Sequence, residues 1–528
     1  MFSNVYRCLI LAIAVSVGAG SSASATDKAA TKPAFQRRGL YLHACWNYNY
    51  PFAVRTWKPE DYHQMFRLLN QLGFNTVMLW PFLEAVPAPI SAADRETIGA
   101  FRPIIADAQQ CGLECWLTTC VVTSSPEIAA KPLKDRALYA HKIEVRMDNP
   151  QAAKAYLRHR AALLALVNNA DGYVLIDGDP GGYAGAKASD FVKVLLADRH
   201  TIDCVGTHPK TQKVIPWIWA GWGTKGVWEE PIEPFVVATL EAIKQQMPEP
   251  WELLPGRSHE WQGNKRINMK LVQDAGLLDR STLLFYEAIE FEPSLPAAKL
   301  QLTDVRDYMK KEKTLLAGSR GCFGNVQTPI MVIPNIYFFS RCAQDPRYVD
   351  QPDDKILADA ARFLGGPPEL LSPAWSCLEL GLDKLPADLP KKLRAARLLG
   401  KPASCLPGGS QRYLNILASQ VESRLRVLRA CQRPAKTAEE AATAIAEGTA
   451  AIVAWWKTHG FAGLTTEGNE PFRWDFVSGS EVEPLKAWCA KNVADPILVS
   501  ELAVEKIVAR GVLTKPVASA RVAELLKR

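Results

Sequence analysis

Tyr173 to Gly182 reads YVLIDGDPGG, an apolar run that ends in two carboxylates, Asp177 and Asp179, and then a Pro-Gly-Gly turn. Side chains alternate along a strand, so residues two apart share a face and both carboxylates are expected to project into one space. Crowded carboxylates do not ionise together. One is held protonated near neutral pH, and the pair becomes an acid and a base. The competing reading of the same residues is structural: Asp179 caps the turn, and Asp177 takes a backbone amide or a metal. The turn Pro180-Gly181-Gly182 lets backbone approach a ligand closely, and Tyr183 either closes over it or is an ordinary loop aromatic.

The elements that must position these acids follow from periodicity. Strand-length apolar runs occur at Gly39 to Trp46, Thr76 to Pro81, Glu114 to Val122, Gly172 to Asp177, Val214 to Ala220, around Trp251 to Pro255, Thr282 to Ile289, and more loosely Gly321 to Ile336. Helical patterns lie between them: Pro59 to Leu72, Ala92 to Gln110, Gln151 to Asn169, Ala188 to Arg199, Glu233 to Gln246, Asn264 to Ala275 and Ala297 to Lys313. Strands that read as continuous apolar runs are buried on both faces. Eight strand–helix units in about 300 residues therefore predict an α/β fold, a (β/α)8 TIM barrel over residues 38–345. A doubly wound open sheet would carry a Gly-rich turn after its first strand, where this chain has HACWNYNYP. Beyond about Arg341 the patterns turn helical, at Asp353 to Leu364, Gln411 to Cys431, Ala438 to His459 and Val482 to Lys491, predicting an α-helical C-terminal domain over 346–528. Gly365-Gly366-Pro367-Pro368 and Pro386 to Pro390 read as connectors.

Barrel enzymes assemble their sites from the C-terminal ends of the strands. Here those ends carry His43, Trp46 and Asn47; Trp80 and Glu84; Asp177 and Asp179; Trp217, Trp219 and Trp222; Glu287 and Glu290; and Asn325, Gln327, Asn335 and Tyr337. A sugar ring stacks its C–H faces on indoles, while its hydroxyls need directional donors and acceptors. This set therefore points to an oligosaccharide or polysaccharide substrate. Core packing is the alternative for each tryptophan, and a satisfied buried polar group is the alternative for His43.

In layout, about residues 38 to 341 resemble the barrel glycoside hydrolases that include the β-N-acetylhexosaminidases of families 20 and 84 and the α-glucuronidases. In the hexosaminidases two adjacent acids follow the fourth strand: one orients the substrate acetamido group, the other protonates the leaving oxygen. The resemblance implies Asp177 as the orienting group and Asp179 as the general acid, although Gly178 here separates the two. A second scheme takes the acid/base and nucleophile from strands four and seven, with Asp179 and Glu287 in those places and Glu290 as the substitute. The carboxyl separation would then be roughly 5 Å for retention or roughly 6.5–9.5 Å for inversion. A non-catalytic carbohydrate-binding barrel, or a transglycosylase or lyase acting on the same sugars, is compatible with the same residues.

Composition narrows the field. A chain of 528 residues, 48% hydrophobic and 22% charged, has ample core material for two domains. The net charge of +7 is spread thinly, and no basic stripe or module for nucleic acid is present. Arg7, the apolar run Cys8 to Val17 and Ala23-Ser24-Ala25 predict a signal peptide at 1–25, a leader at 26–37, and a periplasmic or extracellular protein. Cys8 stands at the front of that run, not at its cleavage point, which disfavours a lipid anchor. Beyond it no stretch is long and apolar enough to span a bilayer. Without Cys8, eleven of the 12 cysteines remain, so no complete disulfide framework is implied. Cys111, Cys115 and Cys120 match no zinc spacing, only eight histidines are present, and no nucleophile elbow occurs; neither a metal nor another cofactor is expected.

Overall fold

In the computed structural model, residues 35–44, 49–121, 147–177, 187–218, 232–257, 267–290, 300–377, 385–459, 479–493 and 495–527 are described. Trp46, Asp179, Trp219 and Trp222, together with the 1–25 segment, lie outside them.

Eight parallel strands close on themselves in sequence order. They are β1 (Arg37–Leu42), β2 (Thr76–Leu79), β3 (Glu114–Cys120), β4 (Gly172–Ile176), β5 (Lys213–Ile218), β6 (Leu254–Arg257), β7 (Thr282–Phe285) and β8 (Gly321–Val326). Every residue of β2 and β4 is buried, as both faces of a barrel strand require. Around them run α1 (Pro59–Gln71), α2 (Ala92–Gly99), α3 (Phe101–Gln110), α4 (Pro150–Leu166), α5 (Ala188–Val205), α6 (Ile232–Gln246), α7 (Ile267–Asp274), α8 (Leu302–Lys311), α9 (Lys313–Gly318) and α10 (Ile333–Gln344). Local sequence sets their starts. Ser91 Oγ accepts the Asp94 N–H ahead of α2, and Asn149 Oδ1 accepts the N–H groups of Gln151 and Ala152 ahead of α4, with proline at its first position.

The N-terminal end of the barrel is plugged. Arg37 pairs with Glu114 at 2.8 Å and Glu252 at 2.9 Å, Lys213 reaches Glu114 at 3.0 Å, and the Arg37 guanidinium lies 4.8 Å from the Trp116 ring centroid. Above this plug Trp116 stacks on Phe323 at 5.1 Å. Gly39 faces that ring so closely that a Cβ would stand 2.2 Å from Phe323, which leaves glycine as the residue that fits. With one end filled by charge and indole, a ligand is left the C-terminal end.

The eighth unit departs from expectation. The apolar run to Ile336 is not one strand: β8 stops at Val326, and α10 begins at Ile333. Ile333 to Ser340 are all buried. A helix buried on every side shows no amphipathic period, so in sequence it is indistinguishable from a buried strand. Asn335 and Tyr337 are thus helical residues, not strand-end ones.

Past α10 the chain is helical: α11 (Asp353–Phe363), α12 (Pro368–Ser376), α13 (Leu389–Ala395), α14 (Ser410–Gln432), α15 (Ala438–His459), α16 (Gly479–Asn492), α17 (Pro496–Ala509) and α18 (Lys515–Leu526). The connectors expected at Pro368 and Pro390 are helix starts, since proline is tolerated in a first turn. These helices meet the barrel at α1, where Asp61 Oδ1 accepts the Gly408 N–H at 3.0 Å and Gln71 Nε2 lies 3.3 Å from Cys405 Sγ. All ten described cysteines are free thiols. Among the described residues no helix is long and apolar enough to cross a membrane.

Candidate active site

Strand alternation sorts the strand-end residues. In β1 the phase that points Arg37 and Gly39 inward also points Tyr41 and His43 inward, and the same count gives Trp80 after β2, Trp217 in β5, Tyr286 after β7, and Asn325 and Gln327 at β8. Ring contacts confirm the convergence. His43 lies 4.9 Å from Tyr41, 5.3 Å from Trp80 and 6.1 Å from Tyr286, while Trp217 lies 5.7 Å from Tyr41 and 6.2 Å from Tyr286. Five rings from four strands form one aromatic floor across the C-terminal end of the barrel. Tyr41 and Tyr286 were not singled out from sequence, although counting alternate positions from Gly39 and Leu284 marks both.

Polar groups are built into this floor. His43 Nδ1 and Gln327 Oε1 are in hydrogen-bond contact, and the His43 backbone N–H donates to the Val326 carbonyl at 2.9 Å. Burial lowers the imidazole pKa to about 4, with the Gln327 contact offsetting only part of it. His43 is therefore neutral at pH 7. With Nδ1 donating to an amide oxygen, the lone pair sits on Nε2, an acceptor rather than a cation. Asn325 is fully buried; its Oδ1 accepts the Glu287 N–H at 2.6 Å, and its Nδ2 has no partner among the described residues.

Glu287 stands two residues past β7 with φ 67°, a left-handed backbone that non-glycine residues rarely adopt. Two side chains hold it there: Asn325 from β8, and Gln301, whose Nε2 donates to the Glu287 carbonyl at 3.0 Å. Phe82, just past β2, is the other described non-glycine residue at positive φ, 56°. Strained backbone of this kind clusters where function over-determines geometry, and both instances border the aromatic floor.

Asp177 is completely buried at the end of β4, and its N–H extends the ladder by donating to the Trp217 carbonyl at 3.2 Å. Ile176 pairs with Trp217, so continued alternation assigns Asp177 to the Leu175 and Tyr173 face. Tyr173 on that face donates its hydroxyl to the Val167 carbonyl at the end of α4, which marks it as the helix-facing side.

Three expectations meet side chains already committed elsewhere. Asn335 Nδ2 donates to the Ile289 carbonyl at 2.9 Å and its Oδ1 accepts the Gln301 N–H at 3.1 Å, fastening the chain after β7 to α10. Tyr337 packs on Phe363 at 5.6 Å and Tyr348 at 6.5 Å, in the seam with the C-terminal helices. Glu290 accepts the N–H groups of Gln327 and Thr328 at 2.7 and 2.9 Å and the Thr328 hydroxyl at 2.6 Å, a three-donor clamp. Burial raises the Glu290 pKa against those bonds.

Glu84 lies in the short helix Leu83–Ala85 after β2, and its Oε1 accepts the Trp80 indole N–H at 2.6 Å. A group with metal-ligand chemistry also appears on the outer helices: His63, Asp107 and Cys111 offer atoms within 4.8 Å of one another, and His63 Nδ1 meets Asp107 Oδ1 at 2.7 Å. Sequence spacing missed the partner of Cys111 because His63 comes from α1. An ordinary histidine–carboxylate bond accounts for this contact.

No protein-family model matches the chain, and no curated protein matches it. Among solved structures, it is similar to an enzyme of glycoside hydrolase family 138 targeting pectin rhamnogalacturonan II, at 14% identity and TM-score 0.43, covering 93% of this chain and 78% of that one. It is also similar to a mutant O-GlcNAc hydrolase of Thermobaculum terrenum, at 12% identity and TM-score 0.41, covering 90% and 97%. A glycoside hydrolase family 5 enzyme from Prevotella bryantii in complex with a xyloglucan tetradecasaccharide gives 15% identity and TM-score 0.39, covering 59% and 97%. At these TM-scores no residue-by-residue correspondence is drawn, and the chemistry of this chain is read from its own side chains.

Proposed function

We propose that this protein is a glycoside hydrolase-like enzyme that cleaves glycosidic bonds by carboxylate acid/base catalysis, with Asp179 as general acid and Glu287 as its partner. The observation that carries the reading is Glu287 held at φ 67° by Asn325 and Gln301, beside a buried floor of Trp80, Trp217, Tyr286 and His43. Indole and phenol rings converging at the mouth are the groups on which a sugar ring stacks, and the Asn325 amide donor and His43 acceptor are of the types its hydroxyls need. In this reading carboxylates carried after β4 and after β7 serve the two sides of one anomeric carbon, as acid-assisted departure and attack require. Between the two candidate partners of Asp179, the strained and doubly anchored Glu287 is favoured over Asp177, whose ladder position assigns it to the helix-facing side.

Trp46, Trp219 and Trp222 are proposed as further sugar-stacking residues by their place after β1 and β5. Export rests on the apolar run Cys8 to Val17 and the small-residue site ending at Ala25, which make 1–25 a signal peptide and the periplasm or exterior the destination. Residues 38–345 would then be the catalytic unit and 346–528 its helical accessory.

A screen of chromogenic aryl glycosides, including N-acetylhexosaminides and glucuronides, tests the function. Turnover by the wild type that falls at least about 100-fold in Asp179→Asn and in Glu287→Gln supports the assignment. Sugar binding with no turnover in the wild type would make the barrel a carbohydrate-binding protein instead.

A further inference from the structure

The side chains behind Trp80 form an arrangement that the hydrolytic chemistry does not use. Glu84 is almost wholly buried; its Oε1 takes the Trp80 indole N–H at 2.6 Å, and its Oε2 has no hydrogen-bond partner among the described residues. Leaving a carboxyl oxygen buried and unsatisfied is costly, so a folded protein keeps it where it has a use. Glu84 also lines a narrow crevice between the Leu83–Ala85 helix and α4. One side of this carboxyl thus touches the aromatic floor, and the residue's other side borders this crevice. The adjoining backbone is special as well: Phe82, at φ 56°, stacks on Trp80 at 5.6 Å under the Arg55 guanidinium.

We propose that Glu84 is a positioning residue for the sugar-binding floor, one that fixes the Trp80 indole and exchanges a proton with solvent through the crevice, so that the grip on Trp80 changes with pH. On deprotonation the proton leaves to water in the crevice, and both carboxylate oxygens become acceptors. The indole N–H then donates to an anion, a stronger bond than one to a neutral carboxyl. Trp80 is pinned 5.3 Å from His43 when Glu84 is ionised and is held less firmly when it is protonated.

The groups around Glu84 place this change near neutrality. Burial raises its pKa to about 7, with the Trp80 N–H and the Arg160 charge among the smaller opposing effects. Among the described residues the facing titratable groups are few. Arg160 on α4 is tied up by Asp198 on α5 at 2.6 Å, His159 of α4 bonds the Val86 carbonyl at 2.8 Å, and Tyr156 of α4 donates to the Val121 carbonyl. Tyr156 stays protonated, since burial pushes its hydroxyl up to about 12. His43, across Trp80, is already neutral with its pKa near 4. Across pH 5 to 9 His43 and Tyr156 stay neutral over most of the range, and the change in the Trp80 contact is assigned to the proton at Glu84.

The experiment follows the indole resonance of Trp80 in the full chain carrying 5-fluorotryptophan, assigned by Trp80→Phe, over pH 5 to 9 without sugar. The expected result is a one-proton shift with its midpoint near 7 in the wild type, absent in Glu84→Gln. In Glu84→Asp, which keeps a carboxyl one methylene short, the shift falls by at least half. A flat Trp80 signal in the wild type, a shift unchanged in Glu84→Gln, or an undiminished shift in Glu84→Asp overturns the proposal. The consequence for substrate rests on the glycosidase reading: KM for the active glycoside should fall severalfold between pH 6 and 8 in the wild type and stay level in Glu84→Gln. The sugar-free titration keeps the two apart, because it succeeds or fails whether or not the barrel hydrolyses anything.

Discussion

The side-chain oxygen of Asn325 accepts the backbone N–H of Glu287 at 2.6 Å, joining the interior of β8 to a residue after β7 whose backbone turns left-handed. A single amide thereby fixes where the proposed catalytic carboxylate begins. Asn325→Ala removes the acceptor and leaves a buried N–H unpaired, at a cost of about 1–3 kcal/mol. Urea unfolding should show that loss, and kcat for the active glycoside should fall at least tenfold with KM changed less.

Glu287 holds a conformation that costs of order 1–3 kcal/mol for a side chain with a Cβ. Glycine adopts it without strain but is freer in the unfolded chain. Glu287→Gly should therefore leave stability unchanged or raise it by up to about 1 kcal/mol, while turnover is lost. Differential scanning calorimetry paired with a glycoside assay checks both halves.

Glu84 and His43 pull stability in opposite directions with pH. The folded-state pKa of Glu84, about 7, is above its usual 4.5, so its favourable contribution is full below 4.5 and is lost as pH rises toward 7. The folded-state pKa of His43, about 4, is below its usual 6.5, so its contribution is full above 6.5 and is lost as pH falls toward 4. Each amounts to at most roughly 3 kcal/mol. Relative to Glu84→Gln, the wild type should gain stability from pH 7.5 to 4.5; relative to His43→Asn, it should lose stability over the same interval. Urea midpoints at several pH values that run parallel for wild type and variant would contradict the corresponding assignment.

Glu290 joins the segment after β7 to the one after β8 through three donors. Glu290→Ala strands two N–H groups and a hydroxyl, so a stability loss of about 3 kcal/mol or more is expected. Glu290→Gln keeps two acceptor lone pairs and should cost less. If the folded Glu290→Gln protein loses kcat as fully as Glu287→Gln does, the clamp assignment is wrong.

Sequence resolved the barrel well for a physical reason. Buried parallel strands such as Thr76–Leu79 and Gly172–Ile176 read as unbroken apolar runs, and capped amphipathic helices such as Pro59–Gln71 separate them. The same rule misled at Ile333–Gln344, where a helix buried throughout from Ile333 to Ser340 looked like a strand and carried Asn335 and Tyr337 into the wrong element. Inward alternation explains why His43, Trp80, Trp217, Asn325 and Gln327 meet in one place, and a strict count would have added Tyr41 and Tyr286. What alternation does not encode is a backbone kink: the positive φ at Glu287 and at Phe82 depends on side chains from other strands. Nor does local sequence encode the Asn325–Glu287 or Glu84–Trp80 bond strengths, since burial of each pair is set by the closed barrel. Asp177 and Asp179 were legible as a motif, while the ladder phase at Asp177 became apparent through its pairing with β5.

Single-turnover hydrolysis of the best aryl glycoside by wild type and by Glu287→Gln, with sugar affinity measured alongside by calorimetry, tests the central claim most directly. The account predicts that Glu287→Gln loses at least about 100-fold in the chemical step while binding the sugar within a few-fold of the wild type. A variant that hydrolyses as fast as the wild type would contradict it.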